Sequence, residues 1–231
     1  MDQPSLNARL LAEAVGTFGF FFMGFSGVAA AVNLPGSIGS GGIAAGFGLG
    51  LALMIGAFGQ VSGGHFNPAV TLGLAVAKRF PSAEIVWYWG AQLVGGLVAA
   101  IAANILYTST VKKAIVNQPG TDNWRALLLE LVATMLFVIV IVTVATDSTA
   151  PWFGVLAPVL IGGFIFTAAL TVGPSSGGSF NPARSLAPAI WAGKLNDVWI
   201  YIIGPLVGGA VGGWFAAFMR KPPMASEAAT A

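Results

Sequence analysis

The stretch Ser62-Gly63-Gly64-His65-Phe66-Asn67-Pro68-Ala69 returns as Ser176-Gly177-Gly178-Ser179-Phe180-Asn181-Pro182-Ala183 in the second half of a chain of 231 residues. The two octets differ only at their fourth position. Each interrupts an otherwise apolar stretch at the corresponding place of its half. In a membrane protein, paired interruptions of this kind are the best sequence pointer to a central permeation or binding site. The sequence therefore predicts an internally duplicated protein with one site built from both octets.

The composition places the rest of the chain in a lipid bilayer. Only 8% of the residues are charged and 56% are hydrophobic, whereas a soluble domain carries roughly 25% charged residues. The chain contains no cysteine, no basic patch for nucleic acid, no nucleotide motif, no metal-ligand cluster and no catalytic constellation. We therefore expect no enzyme activity, no catalytic residue, no cofactor, no metal and no nucleic-acid partner.

The apolar runs predict an all-α membrane protein with six transmembrane helices and two re-entrant half-helices, because a span needs about 20 residues. The predicted spans are residues 9–32, 43–60, 83–107, 125–145, 154–172 and 198–219. The predicted half-helices, 68–77 and 182–191, are too short to cross a bilayer. The first run could instead be a cleaved signal peptide, but its removal would leave the second half without a matching first helix.

The duplication predicts one transmembrane channel domain over residues 1–231. We expect repeat 1 over about 1–107, a polar connector over about 108–124, repeat 2 over about 125–219 and a tail over 220–231. Three spans per half is an odd number, so the halves are inserted in opposite orientations and form an inverted repeat.

The basic residues then predict the orientation. One side collects Arg9, Lys78, Arg79, Arg220 and Lys221, and the positive-inside rule assigns that side to the cytoplasm. We expect a plasma (inner) membrane protein with both termini cytoplasmic. Three lysines favour the opposite side: Lys112, Lys113 and Lys194.

The octets have the local chemistry of helix starts. Asn67 and Asn181 are good N-cap residues, and the prolines that follow them suit the first helical position. Inverted symmetry brings the two half-helix N-termini together near the midplane of the bilayer. Each carries roughly +0.5 elementary charge, which repels a cation or proton but not a neutral molecule.

Several residues outside the octets also repeat or stand out. Glu13 and Glu130 are matching acids within spans, and such acids are functional hypotheses. His65, the only histidine, is either a hydrogen-bonded loop residue or a pH sensor. One face of the last span carries a small-residue stripe that predicts close helix packing: Gly204, Gly208 and Gly212. Four aromatic residues near span ends are interpreted as membrane-interface anchors: Trp87, Trp89, Trp199 and Tyr201.

The chain resembles the aquaporin, or major intrinsic protein, family over essentially its whole length, through both Asn-Pro-Ala motifs, the six spans and the acid pair. The resemblance implies an aquaporin-like fold and a homotetramer with one pore per subunit, in membrane lipid and without a cofactor. It implies exclusion of ions by an Arg and by half-helix dipoles. In this chain the pore motifs are Asn67, Pro68, Ala69, Asn181, Pro182 and Ala183. It also implies that Glu13 and Glu130, with His65, support the octet loops, and that the two acids accept hydrogen bonds from the octet backbones.

The same resemblance implies a selectivity constriction. Counted from the asparagines without gaps, it falls on Phe47, Ala169, Gly178 and Arg184. An Arg at membrane depth costs about 2.5 to 3.5 kcal/mol on insertion scales, which demands a polar or watery role. Water-selective members usually have His where this chain has Ala169, and glycerol-type members commonly have Asp where it has Ser185.

These departures predict a pore at least as wide as that of a water channel. We expect a passive channel for water and small uncharged solutes that excludes protons and ions. The alternative is a facilitator mainly for larger neutral solutes: glycerol, urea, and undissociated arsenite or boric acid. Two other classes are a coupled transporter, which would need a titratable pair at the midplane, and a structural junction protein with an occluded pore.

Overall fold

The computed structural model describes residues 4–108, 110–148 and 154–219, and every regular element in these ranges is helical. A short 3-10 turn, Ser82–Glu84, leads into the fourth of the α-helices. In chain order these are α1 Leu6–Asn33, α2 Gly39–Ser62, α3 Pro68–Val76, α4 Ile85–Leu106, α5 Val111–Ala114, α6 Asn123–Thr146, α7 Ala157–Thr171, α8 Gly173–Ser176, α9 Pro182–Ala192 and α10 Val198–Met219.

Five of the six predicted spans are confirmed as helices long and apolar enough to cross a membrane: α1, α2, α4 with its 3-10 turn, α6 and α10. The main differences are at helix starts. The first helix begins at Leu6, before the predicted Arg9, because the Ser5 hydroxyl accepts a hydrogen bond from the Ala8 amide at 3.3 Å and caps it. The second begins at Gly39, before the predicted Ile43.

The fifth predicted span, 154–172, contains α7, which has 15 residues and ends at Thr171, one residue before the predicted end. This helix is shorter than the other spans, and a second short helix, α8, follows it as far as Ser176. Pro174 explains the break, because it has no amide hydrogen for the carbonyl of Leu170. Together the two helices cover residues 157–176, which at about 1.5 Å per residue gives roughly 30 Å. That length matches the hydrocarbon thickness of a bilayer, about 30 Å.

The connector is more structured than the predicted polar loop. It contains α5, and the side chains of Val111 and Ile115 are fully buried. The ammonium group of Lys112 lies over the ring of Trp191, 4.8 Å from its centroid. The connector therefore packs against α9 of the second half instead of merely joining the halves.

The two halves interlock through their half-helices. Within a half, α1 packs against α4 and α6 packs against α10, while α2 and α7 meet across the halves. The first half-helix, α3, packs mainly against α10, and the second, α9, packs mainly against α4. Each half-helix is thus held by the last span of the other half, which is the exchange expected of an inverted repeat.

The predicted glycine stripe on the last span is confirmed as a close-packing face. A Cβ atom on Gly208 would stand 2.2 Å from the Leu131 carbonyl oxygen, and one on Gly212 would stand 2.4 Å from that of Met135. Small residues let helix backbones approach in this way, so α10 lies directly on the backbone of α6.

A second glycine pair brings α10 onto α3. A Cβ atom on Gly209 would stand 2.4 Å from the Ala69 carbonyl oxygen, and one on Gly213 would stand 2.1 Å from that of Gly73. The start of the first half-helix is therefore positioned by backbone contact with the second half.

Candidate functional site

Both octets leave their preceding helix through left-handed backbone. Gly63 and Gly177 have φ of 92° and 102°, a region that glycine adopts without a steric penalty. Phe66 and Phe180 also have positive φ, 47° and 54°, which is uncommon for a residue with a side chain. The two octets thus follow the same unusual backbone path.

The carboxyl group of Glu13 holds the first octet in this shape. It accepts hydrogen bonds from the Ser62 hydroxyl at 2.7 Å and from the backbone amides of His65 at 2.9 Å and Phe66 at 2.8 Å. Glu13 is fully buried, so these bonds satisfy donors that no water reaches.

Glu130 makes the same three bonds to the second octet. Its carboxyl oxygens accept from the Ser176 hydroxyl at 2.8 Å and from the backbone amides of Ser179 at 2.9 Å and Phe180 at 2.6 Å. It too is fully buried. The duplication therefore extends from the sequence to individual hydrogen bonds.

One tyrosine binds each octet loop, and sequence reasoning missed both roles. The Tyr88 hydroxyl donates to the Ser62 carbonyl at 2.8 Å, and the Tyr201 hydroxyl donates to the Ser176 carbonyl at 2.9 Å. The prediction of Tyr201 as an interface anchor is wrong, because the residue is buried. Matching tyrosines near the starts of the third and sixth spans were the signal that could have revealed the pair.

The two asparagines meet at the centre of the molecule. Each caps its own half-helix: the Asn67 side-chain oxygen accepts from the Ala69 amide at 2.8 Å, and that of Asn181 accepts from the Ala183 amide at 3.0 Å.

The asparagine amide nitrogens cross to the opposite octet. The nitrogen of Asn67 donates to the Phe180 carbonyl at 2.8 Å, and that of Asn181 donates to the Phe66 carbonyl at 2.9 Å. This reciprocal pair of bonds makes the N-termini of α3 and α9 face each other.

One narrow cavity runs past this junction. Its volume is about 20 Å³, counted as the space open to the centre of a water-sized sphere, which is enough for about one water molecule. It brings together many residues predicted for the site. The lining residues are Phe20, Phe47, Leu51, His65, Asn67, Phe137, Ile165, Ala169, Gly178, Ser179, Phe180, Asn181 and Arg184.

A second, wider cavity of about 160 Å³ lies next to the first, and Arg79 is among its lining residues. The two cavities share Leu51, His65 and Phe137 in their walls. The narrow cavity and the wider one are therefore neighbours.

Arg184 is buried and makes two kinds of contact. One of its terminal nitrogens donates to the Ile115 carbonyl at 3.2 Å and to the side-chain oxygen of Asn117. Its guanidinium carbon lies 4.9 Å from the ring centroid of Phe47 and 5.8 Å from that of Phe25. Sequence reasoning missed Ile115, Asn117 and Phe25, because the connector has no counterpart in the repeat.

His65 is a hydrogen-bonded residue of the loop. Its Nδ1 atom lies 3.1 Å from the Thr71 hydroxyl. The side-chain nitrogen of Gln92 donates to that hydroxyl at 3.0 Å and to Glu13 at 2.8 Å. The role of Gln92 was not predicted from the sequence. Within the described ranges, no group of three or more His, Asp or Glu side chains could hold a metal ion.

The fold and this central junction define the class of protein, a membrane channel with an aquaporin fold. The structure resembles the X-ray structure of the aquaglyceroporin from Plasmodium falciparum with a TM-score of 0.80, covering 98% of this chain and 100% of that one at 24% identity. Residues 1–216 match the profile of the family described as Major intrinsic protein.

Proteins with similar sequences belong to the same class. The chain is 41% identical to "Probable aquaporin NIP4-2" of Arabidopsis thaliana, over 93% of this chain and 75% of that one. It is 36% identical to Nodulin-26 of Glycine max, over 92% of this chain and 78% of that one. The chain belongs to the major intrinsic protein family. It is an integral membrane channel for water and small neutral solutes and not an enzyme, which confirms the predicted class.

Proposed function

We propose that water and small uncharged solutes cross this chain passively, in single file, between Asn67 and Asn181. The observation that carries the proposal is the narrow cavity, because it touches both asparagines and the four residues Phe47, Ala169, Gly178 and Arg184. Each asparagine amide nitrogen has two hydrogens, and the bond to the opposite octet uses one. The second hydrogen is a donor for an oxygen atom passing through the cavity.

The charges around the cavity support exclusion of ions and protons. The N-termini of α3 and α9 face each other, and each carries roughly +0.5 elementary charge. Arg184 adds a full positive charge in the same wall. A cation at the junction would meet three positive sources without an acidic residue among the lining side chains. A neutral molecule would not meet this barrier.

The small side chains at the constriction favour solutes larger than water. Ala169 and Gly178 leave one side of the cavity without a bulky group, and neither adds a side-chain donor. We propose glycerol, urea, and undissociated arsenite or boric acid as additional solutes, which is the alternative function weighed from the sequence. Selection among them depends on small differences in size and hydrogen bonding.

We propose that residues 1–231 act as one channel domain built of two inverted repeats. We propose a plasma-membrane location with both termini in the cytoplasm; the charge pattern supports the orientation, since Arg9, Lys78 and Arg79 would share the inner side. A homotetramer with one pore in each subunit is proposed from family membership, and mass spectrometry of the detergent-extracted protein would count its subunits.

Replacing Ala169 with histidine should convert the channel toward water selectivity. The imidazole adds bulk and a hydrogen-bond donor to a cavity of about 20 Å³, so flux of glycerol and urea should fall far more than flux of water. Stopped-flow light scattering of sealed vesicles measures all three rates. An Ala169→Ser variant adds a hydroxyl without the ring and should give a smaller loss.

Two outcomes would contradict this placement of the constriction: an equal loss of water and glycerol flux in Ala169→His, or no loss of either. The same vesicles, loaded with a pH-sensitive dye, test ion exclusion. Proton leak through the parent channel, or flux that follows a sodium gradient, would contradict the proposed passive pore for neutral solutes and favour a coupled transporter.

A further inference from the structure

Asn117 belongs to the connector, yet its side chain is buried among residues of the second half. Its amide nitrogen donates to the Gly177 carbonyl at 2.5 Å. Its amide oxygen accepts from the Ser185 hydroxyl at 2.7 Å and from a terminal nitrogen of Arg184. One side chain thus joins the connector, the second octet and the second half-helix.

The first half of the protein performs the matching task differently. There Gln92 on α4 donates to the Thr71 hydroxyl of the first half-helix at 3.0 Å. Gln92 lies four residues after Tyr88, and Pro205 lies four residues after Tyr201, the matching tyrosine. Proline has no polar side chain, so the last span cannot supply an amide to the second half-helix.

Asn117 fills this gap from outside the repeat. Ser185, like Thr71, lies four residues after the asparagine of its octet, and Asn117 supplies the amide that bonds to its hydroxyl. Because Asn117 comes from the connector side, its oxygen also accepts a hydrogen bond from Arg184. Gln92 makes no corresponding bond to an arginine in the first half. This difference between the two halves lies at the proposed constriction.

The guanidinium of Arg184 depends on neutral acceptors. In the described part of the chain the salt bridges are Arg9 with Glu84 and Arg125 with Asp122, and neither involves Arg184. Its bonds to the connector are those to the Ile115 carbonyl and the Asn117 side chain. The rings of Phe47 and Phe25 also lie close to the guanidinium and attract a cation.

We propose that Asn117 is a positioning residue that sets solute selectivity by holding Arg184 against the connector wall of the pore. This inference rests on the proposed function. Without the amide oxygen of Asn117, only the Ile115 carbonyl holds the Arg184 guanidinium against the attraction of the Phe47 and Phe25 rings. The guanidinium then moves toward Phe47 and narrows the cavity, which obstructs larger solutes more than water.

The test compares two near-isosteric variants, N117L and N117D, with the parent protein in sealed vesicles, using water and glycerol as probes. In N117L the ratio of glycerol to water permeability should fall about tenfold, the population change expected when one hydrogen bond to a charged group is lost. N117D keeps an acceptor oxygen for Arg184 but loses the donor to Gly177. It should therefore retain the parent's ratio even if it is less stable.

A double variant separates positioning from support of the fold. In R184A the guanidinium is absent, so adding N117L should leave the ratio of R184A unchanged. Equal falls in N117L and N117D, or the same further fall in the R184A background, would overturn the proposal and make Asn117 a purely structural residue. If N117L does not reach the membrane, N117A removes the same acceptor with less bulk.

Permeability of the parent protein separates a failure of the proposed pore from a failure of the proposed role of Asn117. A parent that passes no water contradicts the proposed pore itself. A permeable parent whose ratio is unchanged in N117L contradicts only the role of Asn117.

Discussion

Replacing Glu130 with leucine should abolish the folded channel. Leucine is of similar size but accepts no hydrogen bond, so the Ser176 hydroxyl and the backbone amides of Ser179 and Phe180 lose their buried partner. Each such loss costs about 1–3 kcal/mol, so the three together cost roughly 3–9 kcal/mol. Folded proteins commonly have only about 5–15 kcal/mol of stability.

The measurement is the yield of monodisperse protein after detergent extraction, together with its unfolding temperature. Glu130→Gln is the matched control, because it keeps one acceptor oxygen and should fall between the parent and Glu130→Leu. Since Glu13 accepts the corresponding bonds in the first half, Glu13→Leu should repeat the effect. A Glu130→Leu protein with the parent's yield and unfolding temperature would show that the carboxyl group does not hold the octet.

Gly208→Ala should destabilise the protein strongly, although it adds only one methyl group. The added Cβ atom would stand 2.2 Å from the Leu131 carbonyl oxygen, so α10 and α6 must separate. Overpacking of this kind costs about 1–3 kcal/mol, occasionally more. Because the adjoining face of α10 touches α3 through Gly209 and Gly213, the displacement reaches the first half-helix, and water permeability should fall with stability.

The matched control is the same substitution at Gly90, an exposed position of α4 where an added Cβ atom would meet nothing within 4 Å. Alanine in a helix interior is about 0.5–1 kcal/mol more stable than glycine, so Gly90→Ala should raise the unfolding temperature while Gly208→Ala lowers it. Equal shifts in the two variants would contradict the assignment of Gly208 to the helix contact.

The parts of the fold that follow from local chemistry were predictable from the sequence. The octets carry their own turn glycines, caps and prolines, so the half-helices and their starts could be placed. The spans followed from apolar length. The short helix α8 was not predicted, because Gly173 and Pro174 interrupt the apolar run at the point where the predicted span ends.

What the sequence did not reveal depends on contacts between distant segments. Tyr201 was interpreted as an interface anchor because aromatic residues near span ends commonly lie there. In the folded chain its hydroxyl instead satisfies a buried carbonyl. Asn117 and Ile115 carried no signal at all, because they lie in a connector that does not repeat. Their role exists only once α9 has been placed beside them.

The exchange of half-helices between the halves also sets the order in which the channel can be completed during synthesis. The first octet and α3 leave the ribosome early, but their principal packing partner, α10, is the last helix described in the chain. Until that helix is inserted, α3 lacks its backbone contacts with Gly209 and Gly213. We therefore expect a nascent chain released before Gly213 to leave α3 without part of its principal packing surface, even where Glu13 already holds the first octet.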